Sequence, residues 1–310
     1  MAASDLARGA VILAFSSLLG ACATQLAGPD EQSPQMAQYE QQALAWRERR
    51  FNRLTEPFGW LSLVGLEPLQ EGRYRIGTGP DNELHMASGP PLWGMLTVIG
   101  SRAWFDVEPG ADVRIINASG PSVEMQTAGD HGPTFIEAGS MQLQLLERGG
   151  NPVLRLRDSQ ASTRVDFAGL EYFPFNPDWR IEARWLPHPE GRTLLIANVL
   201  GELIHEPNPG MAEFVFEGRS YGLEAVDSGD QLFFILADRT SGRESYGLGR
   251  FLYSDLPEDG RVVLDFNRAY NPPCAFTEYS TCPLPPPENR LDIRIEAGEL
   301  TYRGSGGLRP

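Results

Sequence analysis

Hydrophobic and polar residues alternate with a period of two along most of the chain after residue 59, and glycines and other turn residues separate the alternating segments. This pattern is typical of short β-strands that bury one face. Residues 181–186 (IEARWL) and 213–216 (EFVF) show it most clearly. Further candidates are 60–64, 72–77, 94–99, 103–107, 113–115, 134–136, 142–146 and 153–157. The pattern predicts a mainly β protein built as a sandwich or barrel.

A helical period precedes the strands. Tyr39, Ala43 and Leu54 belong to a set spaced by three or four residues within 36–54. This spacing places them on one face, so we expect one helix before the first strand.

Two nearly continuous apolar runs, 194–200 (LLIANVL) and 232–237 (LFFILA), predict central strands buried on both faces. A chain of 310 residues is long enough for two domains. We expect a helix and sandwich over 36–157, an aromatic crossing segment over 158–180, a second β-rich domain over 181–303 and a short tail over 304–310.

The first 35 residues carry a targeting pattern. Residues 9–19 (GAVILAFSSLL) form a short apolar run of the kind found in signal peptides. The following Leu19-Gly20-Ala21-Cys22 resembles a bacterial lipobox. We therefore expect a signal peptide over 1–21, a lipid on Cys22 as the membrane anchor, and a tether over 22–35. Because no aspartate follows Cys22, the resemblance implies the outer membrane, facing the periplasm, in a Gram-negative host.

The charge limits the partners. A formal net charge of -15 with no basic block argues against nucleic-acid binding. The four histidines are widely separated, and two cysteines alone do not complete a zinc site, so the sequence predicts no metal and no cofactor. It also has no nucleophile elbow, zinc-protease motif or phosphate-binding loop, which leaves open whether the protein is an enzyme.

The first domain resembles a forkhead-associated sandwich. The residues that carry this resemblance are 74–77 (YRIG), 81–84 (DNEL) and a turn over 117–120 (NASG). Such domains bind phosphothreonine through an arginine just after the first glycine and a later Ser-x-x-His. Thr78 stands at the arginine position and no Ser-x-x-His is present, so the resemblance implies the sandwich and not phosphopeptide binding.

Cys274 and Cys282 lie in a proline-rich stretch near the C-terminus. An exported protein meets an oxidising environment, which favours a disulfide between them. The bridge would close a loop of about nine residues and stabilise it by roughly 2.6 kcal/mol in the chain-entropy model.

The C-terminal motifs resemble the DUF1684 family of uncharacterised bacterial proteins. The residues that carry this resemblance are 238–242 (DRTSG), 246–252 (YGLGRFL), 265–276 (DFNRAYNPPCAF) and 282–291 (CPLPPPENRL), and the resemblance extends from about Trp46 to Glu299. It implies a family identity without a catalytic assignment.

Polar and aromatic residues of these motifs are the candidate ligand contacts, because together they offer carboxylates, guanidinium groups and amides. They are Asp265, Arg268, Tyr270, Asn271, Glu288, Arg290, Asp238 and Arg250. We expect them to bind a small anionic or carbohydrate ligand.

Two other functions remain open. Asp265 and Glu288 can serve as the carboxylate pair of an envelope hydrolase. Alternatively, the stiff proline-rich segment 283–287 (PLPPP) provides a docking surface for a structural or assembly lipoprotein. At the surface, Asp265 can also simply pair with Arg268 or Arg290.

Overall fold

The computed structural model describes residues 34–128 and 130–304. The predicted signal peptide, Cys22 and the tether up to residue 33 lie outside these residues. Among the described residues, no helix is long and apolar enough to cross a membrane.

The predicted N-terminal helix is confirmed as α1 (Pro34–Leu54). Ala43, Arg50 and Leu54 are buried, and their spacing of seven and four residues places them on one face. Through this face α1 packs against the rest of the protein.

The C-terminal half of the chain supplies the bonds that hold α1. The Tyr39 hydroxyl donates to Asp265 Oδ1 at 2.7 Å. Arg50 Nε donates to Glu299 Oε1 at 2.9 Å, and both side chains are buried. The helix therefore packs against the second β-rich region, although it precedes the first in sequence.

Residues 63–158 form a sandwich of two five-stranded sheets with strand orders β1-β10-β9-β8-β6 and β3-β2-β4-β5-β7. The strands are β1 (Leu63–Pro68), β2 (Gly72–Gly77), β3 (Leu84–His85), β4 (Gly94–Ile99), β5 (Arg102–Val107), β6 (Arg114–Ile116), β7 (Ser122–Glu124), β8 (Phe135–Ala138), β9 (Met141–Arg148) and β10 (Asn151–Asp158). One core lies between the sheets, with Trp93 and Phe105 fully buried. In β4, Leu96 and Val98 face this core, as the alternation predicts.

The crossing segment contains a one-turn helix, α2 (Ser162–Val165), and then aromatic residues that pack in the core. Trp179 stacks on Phe216, with the ring centroids 4.3 Å apart, and meets Phe266 edge-on at 5.9 Å. These rings join the start of the second region to its sheets.

The second β-rich region has three sheets, with strand orders β15-β14-β11-β19, β12-β13 and β16-β17-β18. The strands are β11 (Arg180–Pro187), β12 (Thr193–Ala197), β13 (Leu203–Pro207), β14 (Gly210–Phe216), β15 (Arg219–Glu224), β16 (Val226–Asp227), β17 (Gln231–Leu236), β18 (Arg250–Asp255) and β19 (Arg261–Asp265). Its main core includes the fully buried Phe234 and Phe266. The predicted fold class, mainly β with two β-rich regions after one helix, is confirmed.

Two predicted strands differ in the structure. Residues Trp60–Ser62 form a 3-10 helix, and β1 begins only at Leu63. The prediction of a doubly buried central strand over 194–200 is wrong, because β12 belongs to a two-stranded hairpin that leaves Leu195 45% exposed. The strand ends where Asn198 Oδ1 accepts hydrogen bonds from the backbone N–H groups of Leu200 and Glu202. The other apolar run forms β17, which is the middle strand of its sheet, as predicted.

Candidate functional site

Asp238 and Arg250, both predicted ligand contacts, bind each other in the core. Asp238 follows β17 and Arg250 begins β18, their side chains are fully buried, and Arg250 Nη2 lies 3.2 Å from Asp238 Oδ1. Asp238 Oδ2 accepts from the Ile295 N–H at 2.7 Å, and Arg250 donates to the carbonyl oxygen of Ile295 at 3.0 Å and to that of Ala297. Burial lowers the pKa of Arg250, and the attraction to Asp238 opposes this shift. In this arrangement the pair fixes the C-terminal segment against β17 and β18.

Asp265 and Arg268 lie together, at the edge of a cavity beside α1. Arg268 Nε lies 2.9 Å from Asp265 Oδ2, close enough for an ion pair, although neither atom makes a hydrogen bond to a described residue. Asp265 Oδ1 accepts from Tyr39, and burial together with this carboxylate raises the pKa of the tyrosine. The predicted pairing of Asp265 with Arg268 is therefore present.

Asn271 has a role in packing α1. Its backbone N–H donates to Glu299 Oε2 at 2.8 Å, and its side-chain Nδ2 donates to the Leu300 carbonyl oxygen at 2.8 Å. Its carbonyl oxygen accepts from Arg50 Nη2 at 2.9 Å. The residue thus orders the segment that precedes the disulfide loop.

Glu288 and Arg290 are exposed at the surface, and neither lines the cavities described below. The residue between them, Asn289, is buried, and its Nδ2 donates to the carbonyl oxygens of Glu224 at 2.9 Å and Ile235 at 3.0 Å. No cavity described below brings Asp265 and Glu288 together, so the hydrolase hypothesis gains no support. Asn289 was not predicted, because nothing in the three polar residues 288–290 marks the middle one as buried.

The predicted disulfide joins Cys274 and Cys282, whose Cα atoms are 6.1 Å apart. Both residues are buried, and the Cys282 carbonyl oxygen accepts from the Val199 N–H at 3.0 Å. Ser280 and Thr281, inside the closed loop, line a cavity together with Cys282. The bridge therefore fixes part of a cavity wall.

This cavity, which we call the arginine pocket, has a volume of about 520 Å³ and lies between the sandwich and the second β-rich region. The end of α1 supplies Arg50 and Arg53, and the β9–β10 hairpin supplies Arg148 and Arg155. The opposite wall comes from β17, β18 and the disulfide loop. Its described lining contains four arginines and no Asp or Glu.

The arginines of the pocket differ in how their charges are compensated. Arg50 is paired with Glu299. Arg53, Arg148 and Arg155 make no ion pair with any residue that the structure describes, and the buried Nε atoms of Arg148 and Arg155 have no hydrogen-bond partner there. Burial, together with repulsion from Arg157 and Arg148, lowers the pKa of Arg155 to about 10, so Arg155 stays protonated at pH 7. Desolvated positive charge without a counter-ion is an arrangement that an anion stabilises.

Aromatic rings form the opposite wall. Phe233 stacks on Tyr253, with the centroids 4.8 Å apart, and Tyr253 lies nearly parallel to Tyr270 at 6.4 Å. The Arg50 guanidinium lies over the Tyr270 ring at 4.5 Å. Burial raises the pKa of Tyr270, which keeps its hydroxyl protonated as a hydrogen-bond donor. Tyr270 is the one predicted contact that lines this pocket.

The arginines of the pocket were not predicted from the sequence. Arg155 and Arg157 are two residues apart in β10 and so share the face opposite the sandwich core, to which Leu154 and Leu156 contribute. Arginines at alternating positions of a predicted strand, in a protein with a net negative charge, could have indicated a positively charged surface on this strand. Among the described residues, no group of three or more His, Cys, Asp and Glu side chains could hold a metal ion.

A family model described as "Protein of unknown function (DUF1684)" matches residues 165–300. Over residues 165–300 this chain is similar to DUF1684. The match is shorter than the expected one from Trp46, so the DUF1684 segment contains the aromatic wall and the disulfide loop but not Arg50, Arg53, Arg148 or Arg155.

Among solved structures, a solution NMR structure of an uncharacterized protein of Haloarcula marismortui is 34% identical to this chain. The alignment covers 44% of this chain and 79% of that one, with a TM-score of 0.37. No curated protein matches this chain.

Proposed function

We propose that this protein binds a small anionic ligand in the arginine pocket. The observation that carries the proposal is Arg155, a half-buried cation that has no ion-pair partner among the described residues and whose buried Nε has no hydrogen-bond partner there. Arginine presents a planar fork of N–H donors that matches phosphate and carboxylate oxygens. Because the pocket excludes part of the solvent, each such contact is stronger here than at an open surface.

The aromatic wall favours a ligand that carries a ring as well as a charge. Phe233, Tyr253 and Tyr270 offer flat apolar surface opposite the arginines. A ligand of this kind places its anionic group against Arg148 and Arg155 and its ring against the aromatic side chains. The Tyr270 hydroxyl supplies an additional donor.

A matched pair of probes tests this proposal. Glucose 6-phosphate, followed by isothermal titration calorimetry, is expected to bind, and glucose at the same concentrations is expected not to bind. Raising the salt concentration should weaken the binding, because counter-ions screen the charges. Equal affinity for both sugars, or no binding of either, would contradict the proposal.

We also propose that the protein is anchored to the bacterial membrane through a lipid on Cys22, with its folded part in the cell envelope. The apolar segment 9–19 followed by Leu19-Gly20-Ala21-Cys22 supports this proposal. The Cys22→Ala variant is expected to leave the membrane fraction after cell lysis and centrifugation, whereas Cys274→Ala should remain in it. Retention of Cys22→Ala in that fraction would argue against the anchor.

A further inference from the structure

The arginine pocket adjoins a second cavity of about 430 Å³. Gln231 and Tyr253 line both cavities, so the two are neighbours, and together we call them the groove. The second cavity lies beside α1, β11, β18 and β19, and includes Asp265 and Arg268 among its lining residues. A ligand that is held in the arginine pocket and extends past Tyr253 would lie near Gln42, in the middle of α1.

Two ion pairs compensate part of the charge that lines the second cavity. Arg261 Nη1 lies 2.6 Å from Glu182 Oε1, and Arg268 is paired with Asp265. Asp255 is exposed and has no side-chain partner among the described residues. The lining has three arginines and five Asp or Glu side chains, so it lacks the positive excess of the arginine pocket, and its mixture of donors and acceptors suits neutral hydroxyl groups.

Tyr253 connects the two parts of the groove. Its ring packs on Phe233 and lies nearly parallel to Tyr270 at 6.4 Å, and the residue remains 39% exposed. A sugar ring has an apolar C–H face and a polar edge, so it can stack on such a tyrosine while its hydroxyls contact Gln231 and Asp255, which are cross-strand neighbours. A second anionic group would be repelled by Asp255 and by nearby Asp259.

We infer that the ligand is an oligosaccharide with one acidic terminal sugar, held in the arginine pocket, followed by neutral sugars in the second cavity. This inference rests on the proposed anion binding and specifies the ligand class. The arginine pocket selects for the negative charge of the ligand, and the second cavity selects for the additional neutral sugars.

Three probes separate charge from length. N-acetylneuraminate supplies one acidic sugar, 3′-sialyllactose adds two neutral sugars to it, and lactose has the neutral sugars alone. In calorimetric titrations of the folded protein, sialyllactose should bind on the order of tenfold more tightly than N-acetylneuraminate, a difference of about 1.4 kcal/mol. Lactose alone should bind too weakly to detect.

A double variant, Gln42→Ala with Asp255→Ala, removes two exposed side chains of the second cavity. It should abolish the advantage of sialyllactose and leave the affinity for N-acetylneuraminate unchanged. The exposed Asp230→Asn serves as the control and should change neither affinity.

The outcomes separate the two proposals. If sialyllactose binds no more tightly than N-acetylneuraminate, or the double variant keeps the full advantage, the inferred ligand class is overturned while anion binding stands. If neither acidic sugar binds, the inferred class is also overturned, and glucose 6-phosphate then decides on anion binding independently.

Discussion

Replacing Arg155 by glutamine is expected to weaken the binding of glucose 6-phosphate at least tenfold and, at the same time, to stabilise the ligand-free protein. Arg155 is a desolvated cation beside Arg157 and Arg148, with no ion-pair partner among the described residues. Glutamine keeps much of the side-chain length and can still donate a hydrogen bond, but it removes the charge. We expect the free energy of unfolding to rise by about 1 kcal/mol.

Calorimetry and thermal unfolding of the same preparations test this prediction. Arg73→Gln is the matched control, because Arg73 is exposed on β2 and lines neither cavity. It removes the same charge from the protein, so it should leave the affinity and the melting temperature almost unchanged. A loss of affinity equal to that of Arg155→Gln would mean that overall charge, and not the pocket, attracts the ligand. A lower melting temperature for Arg155→Gln would show that the arginine stabilises the fold without a ligand.

The opposite expectations for affinity and stability distinguish a binding residue from a structural one. An arginine that only holds the sandwich against the second region would lose stability when replaced. An arginine that binds a ligand destabilises the ligand-free protein through its desolvation cost, and the bound anion offsets that cost. The Arg50–Glu299 pair is the contrasting case in the same pocket, because its carboxylate is supplied by the protein itself.

The strands were predictable where one face is buried. In β4, Leu96 and Val98 are buried and Thr97 between them is half-buried, as a period of two predicts. The run 194–200 was misread because an apolar run does not reveal whether its second face is covered. That depends on which element packs there, and the structure leaves Leu195 exposed. Likewise β3 and β7, of two and three residues, are too short to show a period.

The site was less predictable than the fold, since its residues are brought together only by tertiary packing. The motifs near the C-terminus contain Tyr270 and the disulfide, both of which contribute to the pocket wall. Arg53, Arg148 and Arg155 come from a helix and a hairpin more than 100 residues earlier in the chain. Nothing in the local sequence indicates that these segments face Tyr270.

The groove combines two parts of the chain. The DUF1684 segment supplies the aromatic wall and the shared Gln231 and Tyr253, whereas the segments before residue 165 supply all four arginines of the pocket. We therefore expect the DUF1684 segment to provide a ring-binding surface and the preceding helix and sandwich to provide selectivity for charge. This division explains why the motifs within residues 238–291 indicated a ligand site but did not reveal the arginines of the pocket, which lie earlier in the chain.

Replacing Asp238 by asparagine is expected to lower the free energy of unfolding by about 3–5 kcal/mol, because it leaves the Arg250 guanidinium charged and fully buried without its carboxylate. The loss also affects the segment around Ile295, whose N–H donates to Asp238 Oδ2. Asp230→Asn makes the same chemical change at an exposed turn and should change the stability by less than about 0.5 kcal/mol. Urea unfolding followed by tryptophan fluorescence measures both variants.

A second variant shows whether the unpaired charge causes this loss. The double variant Asp238→Asn with Arg250→Met removes the unpaired buried cation. Its loss in the free energy of unfolding should therefore be smaller than the sum of the losses of the two single variants. Since Asp238 and Arg250 are both inaccessible to solvent, the folded Asp238→Asn protein should bind glucose 6-phosphate with unchanged affinity at low temperature. A variant that keeps its stability but loses this affinity would instead make Asp238 a ligand contact and would require the loop over residues 238–250 to open.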